Sequence, residues 1–166
     1  MLKRILLAGD GGQGVQTIAD ILCKTAFASG LQVSFIPNYG LEQRGGVSLA
    51  FIKISDKKIV YPKFTEADVL LIMSDLSRER TKRYVKKTRV VDVADLKDQT
   101  VNVKKQSLNV FCLGVVSGIL SEVLGADTIK KIMEEKLGNK SGWEENLEAF
   151  GLGLSHAELV SASNKS

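Results

Sequence analysis

Within its first thirty residues the chain passes from an apolar run, Lys3–Ala8, through a glycine-dense turn, Gly9–Gly14, into Val15–Ser29. In that last stretch Ile18, Ile21, Leu22, Thr25 and Ala26 recur at helical spacing, and Gly30 is placed to stop the helix. The order reads as strand, loop and helix. Leu31–Ile36 then supplies a second strand closed by Pro37. Strands joined through a helix are parallel, because a tight turn returns the chain antiparallel and only a crossover restores its direction.

The rest of the sequence extends that start into an α/β fold. Val47–Ser55 alternates well enough to suggest a strand with one wet face, Asp56-Lys57-Lys58 a turn, and Ile59-Val60-Tyr61 the return strand of an antiparallel hairpin ended by Pro62. Asp68–Met73 is apolar after its first residue, as in a central strand covered on both faces; Arg89–Val93 is a weaker second instance, and both suit the middle of the sheet. A short polar strand near Thr100–Lys104 precedes three helices: Leu108–Leu124, Thr128–Leu137 after the cap candidate Asp127, and one opened by Ser141-Gly142-Trp143-Glu144 in capping-box order. The expected architecture has three layers, with helices on both faces of a mixed, mostly parallel sheet and a glycine-rich first βα loop. With 166 residues and 44% hydrophobic content, a single α/β domain over 1–160 is expected, followed by a flexible tail at 161–166.

Composition removes several function classes. The four-residue apolar run after Lys3-Arg4 is too short for a signal-peptide core, and glycines and a serine interrupt the longest apolar stretch, Val110–Leu120, well short of a membrane span. A cytoplasmic protein with no membrane partner is expected. Cys23 and Cys112 lie far apart in helical patterns with no C-x-x-C spacing, and His156 is the single histidine. Neither a metal site nor a Ser-His-Asp triad is expected, and no catalytic residue stands out. The net charge of +4 concentrates in the run Ser77–Arg89, which lacks the interleaved aromatics of a base-stacking platform. It reads as a solvated helix face or a docking surface for an acidic partner, with no nucleic acid implied.

Gly9-Asp10-Gly11-Gly12-Gln13-Gly14 matches G-x-G-x-x-G in the strand-to-helix setting where exposed amides cradle phosphate. A dinucleotide site also needs an acidic residue at the end of the second strand, and Ile36-Pro37-Asn38 offers none. The nucleoside triphosphate loop needs a lysine where Val15 stands, and Asp10 opposes an incoming anion. Two readings remain for Gly11, Gly12, Gln13 and Gly14. They contact a ligand, or they let strand and helix pack closely and present backbone to a neighbouring subunit.

Taken together, the motifs are more specific. Gly11–Val15, then Tyr39-Gly40-Leu41-Glu42-Gln43-Arg44-Gly45-Gly46, then Ile54–Pro62, then Ala67–Leu71 resemble, in order and spacing, the gamma subunit of 2-oxoacid:ferredoxin oxidoreductases. Asn109–Gly114 and Asn146–Gly151 are similar to that family's C-terminal helices. The resemblance implies oxidative decarboxylation of a 2-oxoacid with coenzyme A, giving an acyl-CoA and reduced ferredoxin. It places thiamine diphosphate, magnesium and iron–sulfur clusters on companion alpha and beta subunits, with delta as a further option, and no cofactor on this chain. Among substrates it points to 2-oxoglutarate first, indolepyruvate second and pyruvate third. A free Rossmann-like nucleotide-binding protein is the competing reading. Within the resemblance, Gly11, Gly12, Gln13 and Gly14 are candidates for contact with CoA or a subunit. Tyr39, Glu42, Arg44, Gly45 and Gly46 are candidates for an interface or active-site loop, where a rigid aromatic anchor and a charged pair can make directional contacts. The chain departs from the family pattern at Asp10, usually uncharged, arginine or aromatic, and at Leu41, often proline.

Overall fold

The computed structural model describes residues 1–39 and 46–163, with side chains through residue 157. The chain divides into two compact units, Met1–Asp95 and Leu96–Ser166. The first holds a five-stranded sheet of β1 (Leu2–Asp10), β2 (Gln32–Tyr39), β3 (Val47–Ser55), β4 (Val69–Ile72) and β5 (Arg89–Asp92), in the spatial order β2-β3-β1-β4-β5. β1 pairs antiparallel with β3 and parallel with β4, β4 pairs parallel with β5, and β3 pairs antiparallel with β2. Four strands therefore share one direction and β3 alone opposes them, which is the mixed, mostly parallel α/β sheet expected.

Both faces of that sheet are covered. α1 (Val15–Ala28) lies on the face of Ile5, Leu7 and Gly9: Gln16 donates from Nε2 to Ser48 Oγ at 2.9 Å, and Ser48 sits opposite Gly9 in register. α1 itself buries Val15, Ile18, Ala19, Ile21, Leu22, Thr25 and Ala26, the stripe that its spacing foretold, and Gly30 follows it with φ 78°. The opposite face, bearing Leu6, Ala8, Leu49, Leu70 and Ile72, is covered by Tyr84, which follows α2 (Asp75–Thr81), and by Phe64. Arg4 fixes the start of β4 against β1 with a forked ion pair, Nε and Nη2 reaching the two Asp68 oxygens at 3.1 and 2.8 Å.

Several expectations are corrected. β2 does not stop at Pro37 but continues to Tyr39, which an edge strand permits because a missing N–H there breaks no interior ladder. β3 has no wet face: every residue but Phe51 is buried, Ser48, Lys53 and Ser55 included. Ile59–Tyr61 is not a return strand, since β2 and β1 already occupy both edges of β3. That segment instead runs over the sheet face, where the Tyr61 carbonyl accepts a hydrogen bond from Lys53 Nζ at 2.5 Å. β5 is an edge and not a middle strand. Of the basic run, only Ser77–Thr81 is α-helical, as the end of α2, followed by a 3-10 turn over Lys82–Tyr84 that buries Tyr84.

The second unit is helical: α3 (Lys97–Thr100), α4 (Leu108–Ile119), α5 (Ala126–Leu137) and α6 (Trp143–Ser163). The strand expected near Thr100–Lys104 is the end of α3 and a turn, and the helix expected through Leu124 ends at Ile119. Gly125, not Asp127, caps α5; Asp127 lies in its first turn. The last three residues of the expected tail lie outside the described residues, and α6 extends to Ser163. α4 is buried on every side from Val110 to Ser117, and it meets α6 through glycines on both helices. A Cβ on Gly114 would strike the Phe150 carbonyl oxygen and one on Gly153 the Phe111 carbonyl oxygen, while one on Gly118 would lie 2.5 Å from the Ala157 Cβ. Backbone here packs on backbone, so a single methyl group must push the helices apart. Gly153→Ala is expected to destabilise the protein by about 3 kcal/mol, read as a lowered urea midpoint with unchanged slope.

Candidate functional site

The carboxyl ends of β1, β2, β4 and β5 gather at one edge of the sheet, where ligands of open α/β folds bind. The glycine loop leaves β1 there. Tyr39 ends β2 opposite Ser48, Val47 opens β3 opposite Asp10, and Met73-Ser74 follows β4. The first βα loop and both described ends of the Tyr39–Gly46 motif are thus brought together, joined by a hydrogen bond from Gly11 N to Gly46 O at 2.9 Å. Tyr39 is exposed, as are Gly11 and Gly12. Glu42, Arg44 and Gly45 lie outside the described residues.

Inside the loop the polar groups are largely committed to one another. The Gln13 side chain accepts from Asp10 N at 2.6 Å through Oε1 and donates to the Met73 carbonyl at 3.2 Å through Nε2. Gln13 N donates to Asp10 O at 3.1 Å. Gln13 therefore acts as an internal brace that ties the loop after β1 to the loop after β4. Gly9 is required beneath it: an added Cβ would lie 2.8 Å from Gln13 Oε1 and 2.9 Å from Val15 Cγ2. Gly12 and Gly14 adopt φ of 90° and 83°, the left-handed region that glycine enters without strain. Gly14 is the N-cap of α1 and offers no side chain, so the first-turn amides of Val15, Gln16 and Thr17 have no intrahelical acceptor. Those amides, beside Gly12, are the part of the loop able to meet an anion or a carbonyl.

Asp10, Ser74 and Gln16 carry structural work that the sequence reading did not assign. Ser74 caps α2, accepting from Ser77 N at 3.1 Å, and donates its hydroxyl proton to Asp10 Oδ1 at 2.6 Å. The Asp10 carboxylate is thus engaged in a latch to the next βα loop. The capping-box pair Ser74 and Ser77 was the available signal. Gln16 donates to Ser48 and to the Leu49 carbonyl, while its Oε1 is buried without a partner among the described residues. α2 is held at its other side by Arg78, whose guanidinium reaches Asp92 at the end of β5 at 2.5 and 2.8 Å.

Burial pushes the Cys23 and Cys112 thiols up to about 12, the reverse of what a metal thiolate needs. Among the described residues no three His, Cys, Asp or Glu side chains gather as a metal site, and His156 is partly exposed. The described residues do not fit an iron–sulfur cluster or a magnesium-bound diphosphate. No helix among the described residues is long and apolar enough to cross a membrane.

The hydrogen bond from Arg78 holds the Asp92 carboxyl below the usual carboxylate range, against the opposing effect of burial. A carboxyl depressed on folding contributes stability above its unfolded pKa of about 4, and that contribution is lost as pH falls through the lower folded value. Asp92→Asn is therefore expected to lower the urea midpoint at pH 7 and to narrow its difference from wild type below pH 4.

Comparison with known proteins agrees with this layout. Residues 4–98, more than half of the chain, match the family model for pyruvate ferredoxin/flavodoxin oxidoreductase. The 2-oxoglutarate synthase subunit KorC of Methanothermobacter marburgensis is 45% identical over 75 residues, 45% of this chain and 40% of that one, so this match spans about two fifths of the relative's length. The pyruvate synthase subunit PorC of Methanothermobacter thermautotrophicus is 29% identical over 173 aligned positions, covering 92% of this chain and 94% of that one. A solved structure, the 2-oxoglutarate:ferredoxin oxidoreductase of Magnetococcus marinus with 2-oxoglutarate, coenzyme A and succinyl-CoA bound, shares the fold with a TM-score of 0.86 at 22% identity, over 95% of this chain and 31% of that one. The chain belongs to the pyruvate ferredoxin/flavodoxin oxidoreductase family.

Proposed function

We propose that this chain is the gamma subunit of a cytoplasmic 2-oxoacid:ferredoxin oxidoreductase. In that assembly, alpha and beta subunits supply thiamine diphosphate, magnesium and the iron–sulfur clusters. The reaction is oxidative decarboxylation of a 2-oxoacid with coenzyme A, giving acyl-CoA and carbon dioxide while the electrons pass to ferredoxin. The observation that carries the reading is the family match over residues 4–98, which takes in the glycine loop and the Tyr39–Gly46 motif together. The 45% identity to a 2-oxoglutarate synthase subunit supports 2-oxoglutarate as the substrate, and the longer alignment with a pyruvate synthase subunit makes pyruvate the control.

The chain's own task is to wall the active site. Gly11, Gly12 and Gly14 keep the loop thin, Gln13 braces it from within, Gly46 hydrogen-bonds it just before β3, and Tyr39 stands at the same edge at the end of β2. The amides at the start of α1 suit the phosphates of coenzyme A, which enters between this edge and a companion subunit.

Coexpression with the companion subunits tests the function. Turnover of 2-oxoglutarate above pyruvate and indolepyruvate is expected from the complex and none from the chain alone. Turnover by the isolated chain, or full turnover by a complex lacking it, refutes the reading. Gly11 has an ordinary negative φ and open space about its Cβ position, the nearest atom being Gly46 O at 3.6 Å, so Gly11→Asp adds a carboxylate without backbone strain. It is expected to raise KM for coenzyme A about tenfold and leave kcat unchanged, as loss of uniform binding requires. Arg44→Ala is expected to lower acyl-CoA formation about tenfold or to impair assembly, the loss of one charge-assisted hydrogen bond.

A further inference from the structure

At the amino ends of the parallel strands, opposite the glycine loop, two segments converge on one surface. Phe64 and Tyr84 both stack edge-on against Phe51 of β3, with ring centroids 5.4 and 5.6 Å away. This brings residues 56–66 beside residues 82–89, and two polar contacts fasten them. Lys86 Nζ meets Glu66 Oε1 at 2.7 Å, and Thr88 Oγ1 donates to the Ala67 carbonyl at 2.8 Å. Lys53, buried beneath, holds the Tyr61 carbonyl at 2.5 Å. The surface is a fixed one, and sequence distance conceals it.

Its charge is one-sided. The two segments contain eight Lys or Arg residues and two acids, an excess larger than the +4 of the whole chain. Both acids are engaged: Asp56 by the N-terminal ammonium at 2.7 Å and Glu66 by Lys86. Lys57, Lys58, Lys63 and Lys87 stand exposed around apolar side chains that the fold leaves in water, Val60 at 86%, Tyr61 at 67% and Val85 at 44% exposure. Apolar side chains within a rim of one charge have the anatomy of a protein interface whose other half is acidic. Two valines gain nothing from phosphates, and a lone tyrosine is no stacking platform, which disfavours nucleic acid.

We propose that the surface formed by residues 56–66 and 82–89 docks an acidic face of a companion subunit of the same complex. The proposal rests on the gamma-subunit reading and adds to it a second contact region, about 15 Å along β1 from the glycine loop, since Lys53 beneath it pairs with Arg4, five residues before Gly9 at about 3.3 Å each. Docking there leaves the carboxyl edge of the sheet open for the ligand site.

The test uses the isolated chain and the complex purified without it, with affinity measured across a salt series. Lys57, Lys58, Lys63 and Lys87 are changed together to Glu, and unchanged circular dichroism and melting temperature show that the variant folds. The dissociation constant at about 150 mM KCl is expected to rise at least about a hundredfold, with a weaker salt dependence, because charges beyond about 8 Å are already screened and only close pairs are lost. Tyr61→Ala is expected to weaken binding about tenfold with the salt dependence unchanged. An unaltered dissociation constant for the fourfold variant overturns the proposal while leaving the gamma-subunit reading intact. Wild-type binding to single-stranded RNA or phosphatidylglycerol vesicles that the fourfold variant loses, with assembly unchanged, overturns it in favour of those ligands. Failure of the wild-type chain to join the oxidoreductase subunits at all overturns both.

Discussion

The first unit is organised by the complete burial of the middle of β1. Ile5, Leu6, Leu7 and Ala8 have no exposed surface, β3 and β4 take both of the strand's hydrogen-bonding edges, and covering segments take both faces. A strand so enclosed can be left only at its ends, and its last residues must turn out through a narrow gap between α1 and the neighbouring loops. Gly9 fits that gap because a Cβ would meet Gln13, Val15 and Met73 at once. The glycine loop is thus first a consequence of packing. Its exposure at the carboxyl edge then makes the start of α1 available to a ligand.

The same enclosure sets this loop apart from a dinucleotide fold despite its spacing. In a dinucleotide fold the strand after the first helix lies beside β1 and brings its acidic end to the ribose. Here β3 is inserted between β1 and β2, and the end of β2 carries Asn38 and Tyr39. The loop turns instead toward β4, where the Asp10 to Ser74 and Gln13 to Met73 hydrogen bonds bind two βα loops into one rigid edge. Asp10 itself is engaged in this brace through both its carboxylate and its backbone N–H.

The second unit reaches rigidity by a different route. Its helices have few polar ties, Lys104 to Glu145 and Ser107 to Asn146 among them, and depend on backbone contact between α4 and α6 at Gly114 and Gly153. Close helix approach increases dispersion contacts per residue and leaves little tolerance for added volume. Each unit therefore has glycines at the positions where its geometry is most demanding: at a strand exit in one, at a helix crossing in the other.

Local features were legible in the chain itself. The start of α1, its buried stripe, the extent of β3 and the apolar β4 follow from periodicity and from glycine placement, because those signals reflect short-range geometry and burial of a single element. The order of motifs resembling the oxidoreductase gamma subunit was legible for the same reason, being a matter of spacing along the chain. Strand partners were not legible. Pairing is a long-range choice, and the insertion of β3 between β1 and β2 left Ile59–Tyr61 no edge to join, buried Lys53 on what looked like a wet face, and moved Arg89–Asp92 to the rim. Tertiary structure alone also gave Asp10 its latch, since its partner Ser74 lies sixty-four residues away and meets it only when β1 and β4 align in parallel.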